Sequence, residues 1–183
     1  MRELEELAQA GLIDLYYGDE SRVSMEPCIP YGWQFKDEDV FTPSEKGKGL
    51  NLFSLLSRDN RLVFKTTQGK VDSNFIIEQL DALSFTVQKT TVVVFDNARI
   101  HTSAKVQACR SVWEQRGLFI FYLPAYSPHL NLIEILWRKL KYEWLRPQDY
   151  VDENLLFYTV TQILAAVGIS LNINFTSCNA SSN

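Results

Sequence analysis

Cysteine is scarce in this 183-residue chain, and its three copies, Cys28, Cys109 and Cys178, are odd in number and far apart. They form no pairing that suggests zinc or a disulfide framework, so reduced thiols are expected, with Cys109 in the core. No apolar run approaches the roughly 18 to 20 residues that a membrane span needs. The N-terminus, Met1-Arg-Glu-Leu-Glu-Glu-Leu7, is acidic and lacks the apolar centre of a signal peptide. The expectation is a cytoplasmic protein without a membrane segment, in which the sequons at Asn174 and Asn179 carry no meaning. Positive charge is also lacking. A net charge of −4 argues at first sight against nucleic acid, because phosphate binding rests on Lys and Arg.

What is present is a globular composition, 46% hydrophobic and 13% aromatic, in a length that suits one domain with a substantial core. The charge is unevenly spread. Residues 1–48 carry eleven acids against five bases, whereas residues 97–148 carry eight bases against three acids, a local surplus of five.

In chain order, residues 1–10 read as a helical arm. Gly11–Tyr17 alternates as a strand and ends at Gly18-Asp19-Glu20-Ser21, which puts Asp19 at its exit. Residues 22–49, rich in Pro, Gly and charge, read as an irregular hairpin-like insertion. Leu50–Leu56 and Arg61–Thr66, joined by Arg58-Asp-Asn60, form a β-hairpin. Asp72 or Ser73 caps a helix to Leu83 that buries Phe75, Ile76, Leu80 and Leu83. Thr91–Phe95 is apolar without alternation, as in a strand covered on both faces. Thr102 or Ser103 starts a helix burying Ala108, Cys109, Val112 and Trp113 and stopping at Gly117. Leu118–Leu123 is another buried strand. A helix from Asn131 to Leu145 carries the stripe Ile133, Leu136, Trp137, Leu140 and Trp144. Asp152 caps a last helix, and residues 169–183 form a polar tail expected to be poorly ordered. Three mostly antiparallel strands followed by two parallel ones give an α/β, ribonuclease H-like fold: a mixed five-stranded sheet with helices on both faces, spanning residues 11–168.

Two carboxylates stand where such a sheet places its chemistry. Asp96 ends the Thr91–Phe95 strand and Glu134 lies in the first turn of a later helix; Asp19 joins them if the first strand lies beside that of Asp96. Hard cations such as Mg²⁺ prefer carboxylate oxygens, and two ions about 3.5–4 Å apart can act on both sides of a phosphorus. Each residue also has a plainer reading. Asp96 can cap its turn, Glu134 can pair with Arg138 four residues on, and Glu20 competes with Asp19 for the first position. Asn97, Asn131 and His101 either support the carboxylates from behind or serve as turn, cap and core residues. Arg99, Arg138, Lys139 and Lys141 either reach DNA or form a solvated surface.

Asp19-Glu20 after a strand, Asp96-Asn-Ala-Arg-Ile-His101, and Tyr126-Ser-Pro-His-Leu-Asn131-Leu-Ile-Glu134 with Leu136-Trp137 behind it resemble the catalytic domain of DDE transposases. The likeness is to the mariner-like superfamily, in its bacterial insertion-sequence 630 branch, and covers roughly residues 10 to 165. It implies cleavage of DNA at transposon ends and joining of 3′ ends to a target, dependent on Mg²⁺ or Mn²⁺, with a homodimer assembled on DNA and a place at the prokaryotic nucleoid. By position Asp19, Asp96 and Glu134 form the metal triad. Two departures stand out: Leu132 replaces the usual proline between Asn131 and Ile133, and the family's helix-turn-helix DNA-binding domains are missing before residue 1. The alternatives to a transposase are a ribonuclease H-like nuclease without strand transfer, and a catalytically silent relic or DNA-binding module.

Overall fold

The computed structural model describes residues 1–27, 48–125 and 127–175. One five-stranded sheet organises them, in the order β3-β2-β1-β4-β5. The strands are β1 (Asp14–Ser24), β2 (Gly49–Leu56), β3 (Leu62–Thr67), β4 (Thr91–Phe95) and β5 (Leu118–Tyr122). β1, β2 and β3 pair antiparallel, while β4 runs parallel to both β1 and β5, giving the mixed sheet expected of a ribonuclease H-like fold.

Helices cover both faces. On one lie α2 (Ser73–Ser84) and α3 (Ala104–Gln115), over a core containing Phe53, Ile76, Leu80, Val93, Phe95, Val106 and Trp113. On the other, α4 (Ile133–Lys139) and α5 (Glu153–Ala166) bury Ile133, Leu136, Trp137, Leu156 and Val160 against Leu15, Tyr17, Leu52 and Val94. The helix α1 (Arg2–Gln9) adds Leu4 and Ala8 to that second core. The expected caps form: the side chains of Asp72, Ser103 and Asp152 each accept from a backbone N–H of the following first turn.

Several expectations need correction. β1 does not stop at Tyr17. It continues to Ser24 because Gly18 through Ser24 pair with β2 in an unbroken antiparallel ladder, so Asp19 lies inside the strand. The expected insertion therefore begins and ends in strand; its middle, residues 28–47, lies outside the described residues. β5 is an edge strand, and Phe119 is exposed rather than buried. In α3 the buried face is set by Val106 and Trp113, with Cys109 partly covered, which leaves Ala108 and Val112 exposed. The chain after α4 widens into a π-helical turn at Leu140–Trp144, with Leu145 N–H donating to the Leu140 carbonyl, instead of one continuous α-helix.

The tail expected from residue 169 is anchored as far as Phe175. Ile173 is buried, and Asn60, in the left-handed region at φ 64°, both accepts from Ile173 N–H and donates to its carbonyl. Residues 176–183 lie outside the described residues.

Candidate active site

β1 and β4 run parallel with Tyr17 opposite Val94, so two residues further on Asp19 and Asp96 reach neighbouring positions at the same end of the sheet. Gly18 makes the approach of the two strands possible. A Cβ at this position would stand 2.4 Å from a Phe95 ring atom and 2.7 Å from Leu55 Cδ2.

α4 is fastened over this end from the other direction. Asn131, buried just before the helix, donates through Nδ2 to the Gly18 carbonyl at 3.1 Å, and the Trp137 indole N–H donates to Asp19 Oδ2 at 3.0 Å. Glu134 lies one turn before Trp137 on the same helix and is exposed. Burial, together with the negative charges of Glu20 and Glu134, pushes the Asp19 carboxyl up, against the donation from Trp137 and from the backbone.

Asp96 is held differently. Its Oδ1 accepts from Ala98 N–H at 2.9 Å and lies 2.8 Å from His101 Nδ1. His101 foremost, and Ala98, hold this carboxyl below the usual carboxylate range although burial works the other way. His101 itself is buried, its ring stacked on Phe95 with centroids 4.3 Å apart. Its second nitrogen, Nε2, lies 2.9 Å from Glu20 Oε2 without forming an aligned hydrogen bond. Burial disfavours an imidazolium, but Asp96 and Glu20 on its two sides raise its pKa to about 9.

The remaining expected residues are scattered. Asn97 donates to the Leu123 carbonyl and so ties the exits of β4 and β5 together; its side chain makes no hydrogen bond to Asp19 or Asp96. Arg99 is exposed on the turn after Asp96. Arg138 and Lys141 line a groove together with Glu134, Trp137 and Tyr142. Lys139 pairs with Glu143 at 2.7 Å. Among the described residues Glu134 forms no ion pair, with Arg138 or with any other base.

Asp19, Asp96 and Glu134 thus come to one end of the sheet, yet among the described residues no three acidic, His or Cys side chains close tightly enough to hold an ion. Two residues at this end escaped the sequence reading. Trp137 reads as core by periodicity but also donates to Asp19. Glu20 reads as a rival of Asp19, although alternation along a strand extended to Ser24 turns it toward His101.

Residues 14–155 match the DDE superfamily endonuclease family. The chain belongs to that family. Over 130 residues, this DDE endonuclease domain is 28% identical to the insertion element IS630 uncharacterized 39 kDa protein of Shigella sonnei, a match covering 69% of this chain and 37% of the relative. It therefore spans little more than a third of that relative's length. Among solved structures it resembles a chain of the simian T-cell lymphotropic virus intasome bound to a PP2A regulatory subunit. There the TM-score is 0.61 at 17% identity, covering 92% of this chain and 52% of that one. It also resembles the Mos1 mariner paired end complex with Mn, with a TM-score of 0.58 at 15% identity, covering 90% and 56%. At these identities the likeness is one of fold, and the fold is ribonuclease H-like.

Proposed function

We propose that this DDE domain is the catalytic domain of a metal-dependent DNA transposase of the mariner-like superfamily, insertion-sequence 630 branch. It cleaves DNA at transposon ends and joins the 3′ ends to target DNA, with Asp19, Asp96 and Glu134 as metal ligands. The observation that carries this is that β1, β4 and α4 bring three carboxylates to one end of the sheet, with no base paired to Asp19 or Glu134 among the described residues.

The donors suit a hard divalent cation such as Mg²⁺ or Mn²⁺, which prefers carboxylate oxygens. Trp137 fixes one oxygen of Asp19, and Asp96 receives both of its donors on Oδ1, so no described residue donates to Oδ2. Glu134, exposed on a helix fastened to β1, completes the set. A bound pair of such ions supplies Lewis-acid polarisation of the phosphate and activation of a water or 3′-hydroxyl. The chain's own part is orientation: Trp137 and Asn131 hold α4 against β1, and His101 holds Asp96. Arg99, Arg138 and Lys141 lie where they can neutralise backbone phosphates. The paired Lys139 contributes least.

The catalytic unit corresponds to residues 11–168, with an insertion between β1 and β2 and residues 1–10 as an arm. It works on DNA as a homodimer, alongside helix-turn-helix DNA-binding domains. The test incubates the chain with pre-cut transposon-end DNA and supercoiled plasmid in Mg²⁺ or Mn²⁺. The expected result is end DNA joined covalently to plasmid, lost on Asp19→Asn, Asp96→Asn or Glu134→Gln. Hydrolysis without joining would replace this reading by a nuclease; wild-type protein that binds no metal would leave a silent relic.

A further inference from the structure

We propose that Glu20 is a positioning residue, whose carboxylate braces the His101 imidazole from behind so that Asp96 presents its outer oxygen to the metal. The inference rests on the reading of Asp96 as a metal ligand.

The geometry is a chain of three side chains running through the sheet. Glu20 faces away from Asp19, toward the core beneath α2 and α3, and lies opposite Phe53 of β2. Its side chain is 17% exposed and that of His101 is 0% exposed. One oxygen, Oε2, lies 2.9 Å from His101 Nε2, while the other, Oε1, is buried without a hydrogen-bond partner among the described residues. A carboxylate in such surroundings is costly unless something answers its charge, and no Lys or Arg forms an ion pair with it among the described residues. The imidazole is the group that answers.

The rest of His101 is held by other contacts. Its ring stacks on Phe95, its backbone N–H donates to the Ala98 carbonyl at 3.0 Å, and its own carbonyl accepts from Tyr122 Oη at 2.7 Å. With Glu20 on Nε2, the ring is held with Nδ1 directed at Asp96 Oδ1. Outer partners of this kind orient a ligand, and their loss typically costs about 10–100-fold in metal affinity. Asp19 and Glu20, consecutive in sequence, would thus serve one site from opposite sides of the sheet: one as ligand, the other through His101 and Asp96.

The test measures Mn²⁺ affinity by calorimetry for the wild type, Asp96→Asn, Glu20→Gln, His101→Asn and the Glu20→Gln/His101→Asn double variant, with imidazole ¹⁵N spectra of the metal-free proteins. His129, the chain's other histidine, is exposed and serves as internal reference. Glu20→Gln is expected to move the His101 signals, leave those of His129 in place, and weaken Mn²⁺ binding about 10-fold or more. It should have no further effect once His101 is Asn, because Glu20 acts only through the ring. Additive losses in the double variant would overturn the proposal, as would unchanged affinity or unmoved His101 signals in Glu20→Gln. An Asp96→Asn variant that binds Mn²⁺ like the wild type would instead remove the reading of Asp96 as a ligand, and this proposal with it.

Discussion

The two ends of β1 carry carboxylates in opposite electrostatic conditions. Around its start three acids each have a base: Glu5 with Arg58 at 2.7 Å, Asp14 with Arg61 at 2.7 Å and Lys89 at 3.2 Å, and Asp59 with Arg61 at 2.8 Å. Burial works against ionisation of all three, but Tyr17 and Arg58 hold Glu5 below the usual carboxylate range, Arg61 and Lys89 hold Asp14 there, and Ser57 and Arg61 hold Asp59 there. At the far end Asp19 is pushed the other way, by burial and by its acidic neighbours. The same residue type is structural where the fold supplies the counter-charge, and available for chemistry where it does not.

That contrast breaks most visibly if the wrong end controls activity. Asp96→Asn, Asp19→Asn and Glu134→Gln are each expected to lower strand transfer by roughly a thousandfold or more, since residues acting as one unit fail together. Asp19→Asn should do so with an unchanged or raised melting temperature, because it removes a buried charge that lacks a basic partner. A thermal melt run beside the joining assay reads both. Next in size is Gly18→Ala, expected to destabilise by about 1–3 kcal/mol through the clash with Phe95 and Leu55. Urea titration measures this; a stability equal to wild type would mean that the strand ends are not as closely packed as described.

A smaller effect is expected from Trp137→Phe, which keeps a ring in the core but loses the donor to Asp19. Mn²⁺ affinity should fall about 10-fold by calorimetry with stability nearly intact. Smallest is Arg58→Gln at the paired end, worth about 1 kcal/mol or less because the pair is partly exposed, with no change in joining. Its signature lies in pH. Glu5 has a depressed folded pKa, so its contribution to stability is complete above the ordinary carboxylate range and is lost as pH falls through the folded value. Wild type should therefore lose more stability than Arg58→Gln on acidification; parallel curves would mean that Arg58 is not what depresses Glu5.

Local signals made the scaffold legible. Thr91–Phe95 is an unalternating apolar run and becomes the inner strand β4; Asp72, Ser103 and Asp152 precede apolar stripes and become caps. Long-range partners decided the rest. Gly18-Asp-Glu-Ser has the composition of a turn and is strand only because β2 pairs along it. Ile173 sits in a polar tail and is buried only because Asn60, over a hundred residues earlier, grips its backbone. The three carboxylates could be picked out by position in recurring motifs, whereas the supports behind them, Trp137 and Glu20, depend on which way a side chain turns in a pairing the sequence does not spell out.

The ladder between β1 and β2 has a consequence for how this segment tolerates change. Replacing residue 19 or residue 20 alters one face of the sheet at a time. Deleting a single residue between Ile13 and Gly18 would turn the following positions to the opposite face, sending Asp19 toward the aromatic interior and setting the longer Glu20 where Asp19 stood. Length is constrained in this strand as well as identity.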